Sequence, residues 1–88
     1  MGNLMIIFKV YPEEPGQEKG IEERIRKITV AQTRFQDLKI EPIAFGLNLI
    51  KAAFIMPDKI GGLQEKIENE LKGIQNVKEV EVEAVTLL

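Results

Sequence analysis

Cysteine, histidine and tryptophan are all absent from the 88 residues of this chain. Without cysteine, the chain can form neither a disulfide nor a thiolate metal site. Without histidine, it lacks the general base of Ser-His-Asp and Cys-His systems and the imidazole ligand of zinc sites. Only carboxylate or lysine chemistry would remain for an enzyme. We therefore predict a protein with no catalytic residues, no bound metal and no cofactor.

A surplus of positive charge is also missing, because twelve basic residues face fourteen acidic ones and the net charge is −2. Proteins that bind nucleic acids concentrate positive charge for phosphate contacts, so we expect no direct nucleic-acid partner. No apolar run approaches the ~18 residues of a membrane span, and no signal peptide is recognisable at the start. We expect a soluble, cytoplasmic protein that forms a single domain over residues 1–88.

Two periodicities alternate along the sequence. Isoleucine recurs at Ile21, Ile25 and Ile28, which is the spacing of one helix face, and a second helical stripe follows the Gly-Gly pair. Period-two or continuous apolar segments surround these stripes and predict strands. The resulting order, β-α-β-β-α-β, predicts an α+β, ferredoxin-like fold in which two helices cover one face of a four-stranded antiparallel sheet. The predicted strands are residues 4–11, 38–45, 47–56 and 76–88, and the helices cover 17–28 and 63–74. The weak pattern of residues 30–38 fits either a loop or the start of the second strand.

The predicted strands differ in character. The third strand is apolar on both faces, which favours a central position or one face shared with another surface. Pro42 favours an edge strand or a bulge for the second. The last strand predicts a half-exposed element, because valine and alanine at 80, 82 and 84 alternate with glutamate at 79, 81 and 83. Glutamates spaced roughly 7 Å apart along a strand indicate a solvated face rather than a cation site.

The segment EPIAFG places a phenylalanine, Phe45, directly before Gly46 at a predicted chain reversal. In one interpretation the ring folds back and packs on the neighbouring strand. In the other it is held out for a partner, because an aromatic side chain on a rigid turn buries much area while few torsions are frozen. The residues alone leave both interpretations open.

Residues 41–62, EPIAFGLNLIKAAFIMPDKIGG, resemble a segment of the archaeal elongation factor 1-beta family, in which a PIAFG or PIGFG hairpin precedes a strand. The similarity continues through the second helix to a final V-x-x-V-E-V strand and covers about residues 4–88. The resemblance implies a ferredoxin-like guanine-nucleotide exchange factor for the GTPase elongation factor 1-alpha. Such a protein acts by binding, and we expect it to be a monomer when free.

The resemblance also implies the contact residues. In that family the phenylalanine of the hairpin tip inserts into the nucleotide-binding domain of the GTPase, which assigns this role to Phe45 with Ala44 and Gly46 beside it. The family's C-terminal tail approaches the magnesium and phosphate site, which assigns partner contact to Leu87 and Leu88. Eukaryotic members have a lysine before the final residue, whereas this chain has Leu87. Either the hairpin supplies most of the exchange activity, or the tail acts by its bulk and its terminal carboxylate.

A second function remains open at this point. Ferredoxin-like domains of this size also act as small regulatory or ligand-binding modules that dimerise through their sheets. Such a module would leave Phe45 buried, whereas an exchange factor needs the ring exposed. The solvent exposure of this one side chain therefore discriminates between the two hypotheses.

Overall fold

The structure, a computed structural model, describes residues 2–88 and contains four strands and two helices in the predicted order. Neither helix is long and apolar enough to cross a membrane. The elements are β1 (Asn3–Pro12), α1 (Glu18–Arg26), β2 (Arg34–Pro42), β3 (Asn48–Pro57), α2 (Leu63–Lys72) and β4 (Val77–Leu87).

The four strands form one sheet in the order β2-β3-β1-β4, and each pair of neighbours is antiparallel. The central position of β3, between β2 and β1, confirms the prediction made from its two apolar faces. The edge position predicted for the proline-containing strand is also confirmed, and Pro42 is the last residue of β2. An edge strand tolerates this residue because a missing N–H there need not break a ladder hydrogen bond.

Both helices pack on the same face of the sheet, as the sequence predicts. Their apolar stripes, Ile21 and Ile25 on α1 and Leu63, Ile67 and Leu71 on α2, join one buried cluster with alternate residues of β1 and β3. Burying each large aliphatic side chain stabilises the fold by roughly 1.5–3 kcal/mol. The strand members of this cluster include Ile6, Phe8, Val10, Ile50, Ala52, Phe54 and Met56.

The second strand begins at Arg34, so the segment 30–38, which fits either a loop or a strand start, contains the start of the strand. Its register shifts between Phe35 and Asp37, which leaves Gln36 as the extra residue of a β-bulge. Phe35 and Leu38 both pack against the core on either side of this bulge. Because the bulge interrupts the period of two, the apolar alternation that would have revealed the start of the strand is lost.

A second bulge corrects the prediction for the end of β4. Val82 lies opposite Phe8 and Ala84 lies opposite Ile7, so Glu83 is the extra residue. From this point the two faces exchange. Ala84 therefore lies on the face opposite the helices, and the expectation that it shares a face with Val80 and Val82 is wrong. Val85, opposite the buried Ile6, takes the helix-facing side instead.

Candidate functional site

The turn between β2 and β3 is a tight reversal with two backbone hydrogen bonds. The Leu47 N–H donates to the Ala44 carbonyl at 2.9 Å, and the Ile43 N–H donates to the Leu47 carbonyl at 2.9 Å. Both central residues have positive φ, 54° at Phe45 and 78° at Gly46. This combination is the backbone signature of a type I′ turn, in which glycine at the second central position carries no steric penalty.

Phe45 occupies the first central position of this turn, and its exposed fraction is 99%. The expectation of an exposed ring is therefore confirmed, and the interpretation in which the ring packs on a strand is wrong. The left-handed backbone conformation costs a residue other than glycine roughly 1–2 kcal/mol. Phenylalanine at this position thus brings both an exposed apolar surface and backbone strain.

The base of the hairpin is tied to the helical layer. The Asn48 side-chain amide donates to a Glu18 carboxylate oxygen at 3.2 Å, and the other oxygen accepts from the Gly16 N–H at 3.1 Å. Glu18 is the first residue of α1, so this carboxylate joins the start of β3 to the start of the helix. The turn therefore projects from a fixed base.

The C-terminal residues lie at the end of β4, where they pair with the start of β1. Leu87 is opposite Leu4, and the Leu88 N–H donates to the Asn3 carbonyl at 2.8 Å. The exposed fractions of Leu87 and Leu88 are 67% and 59%. Val85 is also exposed, and we call the three exposed apolar residues Val85, Leu87 and Leu88 the terminal patch.

The structure does not bring the two predicted contact regions together. The residue pair Val10–Ile50 lies toward the hairpin turn, whereas Leu4 pairs with both Met56 and Leu87 at the opposite end of the sheet. From the rise of a strand, about 3.3 Å per residue, the turn and the terminal patch are about 30 Å apart. The longest dimension of the molecule, 43 Å, lets both lie near its two ends.

On the face of the sheet opposite the helices, one lysine connects three strands. The Lys51 ammonium on β3 lies 3.1 Å from a Glu41 carboxylate oxygen on β2 and 3.0 Å from a Glu83 oxygen on β4. The hydrogen bonds that the ammonium donates, to Glu83 first and then to Glu41, raise the pKa of Lys51 above its ordinary value. Sequence reasoning missed this group, because nothing local to any one strand indicates which charges meet across the sheet.

The glutamates of β4 are therefore more than a solvated face. Glu81 accepts a hydrogen bond from the Tyr11 hydroxyl at 3.0 Å, and Glu83 pairs with Lys51. Burial and then the hydrogen bond to Glu81 raise the pKa of Tyr11. Within residues 2–88, no group of three or more acidic side chains is placed to hold a metal ion.

The Gly-Gly pair serves the chain reversal into α2. Gly62 has a φ of 84° and directly precedes the first helical residue, Leu63. Because a left-handed conformation at this position strains any other residue, glycine has a structural role here.

Comparison with known proteins decides the family. Residues 5–88 match the family described as the EF-1 guanine nucleotide exchange domain. The chain belongs to this family. Proteins called elongation factor 1-beta are similar over nearly the whole length. That of Methanospirillum hungatei is 40% identical, with all of both chains covered, and that of Ignicoccus hospitalis is 38% identical, with 97% of this chain and 92% of the relative covered.

A solved structure supports the fold independently. The solution structure of the C-terminal domain of the MgtC protein from Mycobacterium tuberculosis superposes with a TM-score of 0.67. The superposition covers 96% of this chain and 87% of that one, at 16% sequence identity. At this identity the likeness concerns the fold alone, because one fold carries many unrelated functions.

Proposed function

We propose that this protein is a guanine-nucleotide exchange factor that releases GDP from elongation factor 1-alpha, the GTPase partner implied by its family. The whole chain acts as the exchange unit in the cytoplasm, as a monomer when free, and it acts by binding rather than by covalent chemistry. Membership of the exchange-domain family supports the activity. The structural observation that carries the proposal is Phe45.

Phe45 has two features that a free protein would not favour. Its ring is fully exposed, so it contributes almost nothing to the core, and its backbone has the positive φ that asparagine or glycine would adopt with less strain. A strained, exposed aromatic residue on a rigid turn is favourable if a partner buries the ring. We assign Phe45 as the central binding residue, with Ala44 and Gly46 as the adjoining contacts.

Exchange requires no reactive group. A factor that binds the nucleotide-free GTPase more tightly than the GDP-bound form must, by thermodynamic linkage, weaken GDP affinity by the same factor. Insertion of a rigid ring near the nucleotide and magnesium site is one way to supply this difference. The two turn hydrogen bonds and the tie between Asn48 and Glu18 give the hairpin the rigidity that this mechanism needs.

The distance of about 30 Å between the ends of the sheet limits how the contacts are shared. Phe45 and the terminal patch cannot occupy one small pocket, so we propose that they contact two separate surfaces of the GTPase. At most one of them lies at the magnesium and phosphate site. The side chains of Leu87 and Leu88 offer apolar bulk but carry no positive charge.

The decisive experiment measures release of a fluorescent GDP analogue from elongation factor 1-alpha, with and without this protein, in the presence of excess unlabelled GDP. We expect catalytic amounts of the protein to accelerate release. An unchanged release rate, with the protein present well above the concentration of the GTPase, would rule out the proposed function. The Lys66→Gln variant serves as a control, because Lys66 is exposed on α2 and belongs to neither proposed contact.

A further inference from the structure

The open face of the sheet carries an ion-pair group that the proposed exchange mechanism has not used. Lys51 lies between carboxylates from the two edge strands, Glu41 on β2 and Glu83 on β4. Those two strands are separated by three interstrand spacings, about 14 Å in all. The other two ion pairs found within residues 2–88 each lie inside a single helix. The lysine is therefore an ionic connection across the whole width of the sheet.

Each carboxylate lies on a strand that leads to one of the two proposed contacts, Glu41 on β2 and Glu83 on β4. Glu41 lies three residues before Ala44, the first residue of the turn between β2 and β3, and Glu83 lies four residues before Leu87. Only 23% of the Lys51 side chain is exposed, and the residue lines a depression with the apolar Met5, Ile7 and Ala53. The Lys51 ammonium thus connects β2, which leads to the hairpin turn, with β4, which leads to the terminal patch. Apolar side chains line the depression in which it lies.

The connection opposes a soft motion of the sheet. Neighbouring strands are rotated by roughly 20–25°, and this twist varies among sheets. A change in twist moves the hairpin tip relative to the end of β4, because these points lie about 30 Å apart along the sheet. A lysine held to both edge strands resists such a change. Without it, Glu41 and Glu83 would face each other as like charges.

We propose that Lys51 is a positioning residue that fixes the hairpin relative to the terminal strand, so that both ends meet the GTPase as one preorganised surface. The proposal rests on the proposed exchange function. Preorganisation lowers the entropy cost of binding at two points. Loss of the connection should therefore weaken binding of the GTPase while the exchange step, once both ends are bound, proceeds as before.

The first test measures geometry in the free protein. Since the chain has no cysteine, spin labels can be attached at Ala44→Cys and Thr86→Cys without other changes. Pulsed dipolar spectroscopy should give one narrow distance distribution near 30 Å. We expect Lys51→Met to broaden it and Lys51→Arg to keep it narrow. Lys39→Gln, on the same face with the same charge change, should also keep it narrow.

The second test measures exchange kinetics with the unlabelled variants. We expect Lys51→Met to raise KM for the GDP-bound GTPase by about fivefold, the upper range for a surface ion pair, with kcat nearly unchanged. Lys51→Arg and Lys39→Gln should each have a KM close to that of the wild-type protein.

An equally narrow distance distribution in Lys51→Met, or an unchanged KM, would overturn the positioning role. If the wild-type protein accelerates no exchange at all, the proposed function fails instead, while the distance measurement still decides whether Lys51 fixes the geometry.

Discussion

The two ends of the sheet both expose apolar side chains, but for different physical reasons. At the hairpin turn, the exposed ring sits on a left-handed backbone that opposes it. At the terminal patch, Leu87 lies on a regular strand in register with Leu4, with no such strain. The bulge turns Val85 and Leu87 to the helix-facing side, yet both side chains stay exposed at this end of the sheet.

This difference indicates which end is more specialised for binding. Strain at an exposed residue lowers stability without compensation inside the molecule, so it points to a role outside it. An exposed leucine near a strand end needs no such explanation, because much of any protein surface is apolar. We therefore expect the tip to supply most of the binding energy and the terminal patch to supply less.

Replacing Phe45 with alanine should have the largest effect on function. Loss of a central aromatic contact costs about 2 kcal/mol or more, so kcat/KM for GDP release should fall at least about thirtyfold. The free energy of unfolding should change by less than about 0.5 kcal/mol, because the ring makes no core contacts. Chemical denaturation and GDP release on the same variant measure both quantities.

A matched variant in the core makes this result specific. Phe54 is fully buried and lies edge-on to Phe8, with ring centroids 6.0 Å apart. Phe54→Ala should lower the free energy of unfolding by roughly 3–5 kcal/mol. If Phe45→Ala instead showed the large stability loss while its folded fraction exchanged GDP normally, the assignment of the ring to partner binding would be wrong.

Deleting residues 86–88 should have a smaller effect and should act on rate more than on binding. If the terminus reaches the nucleotide site, exchange should slow by about fivefold, the equivalent of about 1 kcal/mol, while complex formation stays largely intact. Stopped-flow GDP release and equilibrium binding separate the two effects.

Val85→Ser provides the control, since it reduces the apolar surface of the patch while the terminus stays in place. Normal exchange by the truncated protein would mean that residues 86–88 only complete β4. A loss of equal size in Val85→Ser would indicate that the apolar surface matters rather than the terminus.

The fold was predictable because its periodicities are strong. The stripe residues inside the helices, Ile21, Ile25, Leu63, Ile67 and Leu71, are all buried, and the apolar third strand favoured the central position that β3 has. Ile28 and Ile74, the last residues of the predicted helices, lie just beyond α1 and α2 and are partly buried against the core. The separation of the two ends also follows from this topology. Since β3 and β4 both run antiparallel to β1, β3 begins at the end of the sheet where β4 begins, and β4 finishes at the other end.

The details that escaped prediction depend on pairing between strands. Neither Gln36 nor Glu83 has a side chain that marks a bulge, and each bulge arises from how two strands meet. The Lys51 group likewise requires the register of three strands. The exposure of Phe45 was one of two open interpretations, because a phenylalanine before glycine does not itself say which way the ring points.

Replacing Phe45 with asparagine should separate strain from function at the tip. Asparagine adopts positive φ more readily than other residues with a side chain, so Phe45→Asn should raise the free energy of unfolding by roughly 0.5–1 kcal/mol. GDP release should be as impaired as in Phe45→Ala. Urea denaturation of the two variants against the wild type measures the difference. A destabilised Phe45→Asn protein would show that the ring supports the fold after all.

Alkaline pH should perturb the β4 side of the sheet and leave the tip turn unaffected, because residues 43–47 contain no titratable side chain. Tyr11 is the single tyrosine, and the chain has no tryptophan, so absorbance of the phenolate reports Tyr11 alone. Burial and the hydrogen bond to Glu81 raise its pKa, so its midpoint should lie above the ordinary value of about 10.

The sign of the effect on stability follows from linkage. A tyrosine whose folded pKa is raised stabilises the fold fully below the unfolded pKa, and this contribution is lost as pH rises through the folded pKa. Lys51, whose pKa is also raised, contributes in the same direction at similar pH. The free energy of unfolding should therefore fall above pH ~10. Glu81→Gln should lower the Tyr11 midpoint partway, because burial, the larger cause, remains. A Tyr11 midpoint at or below that of free tyrosine would contradict this account of the open face.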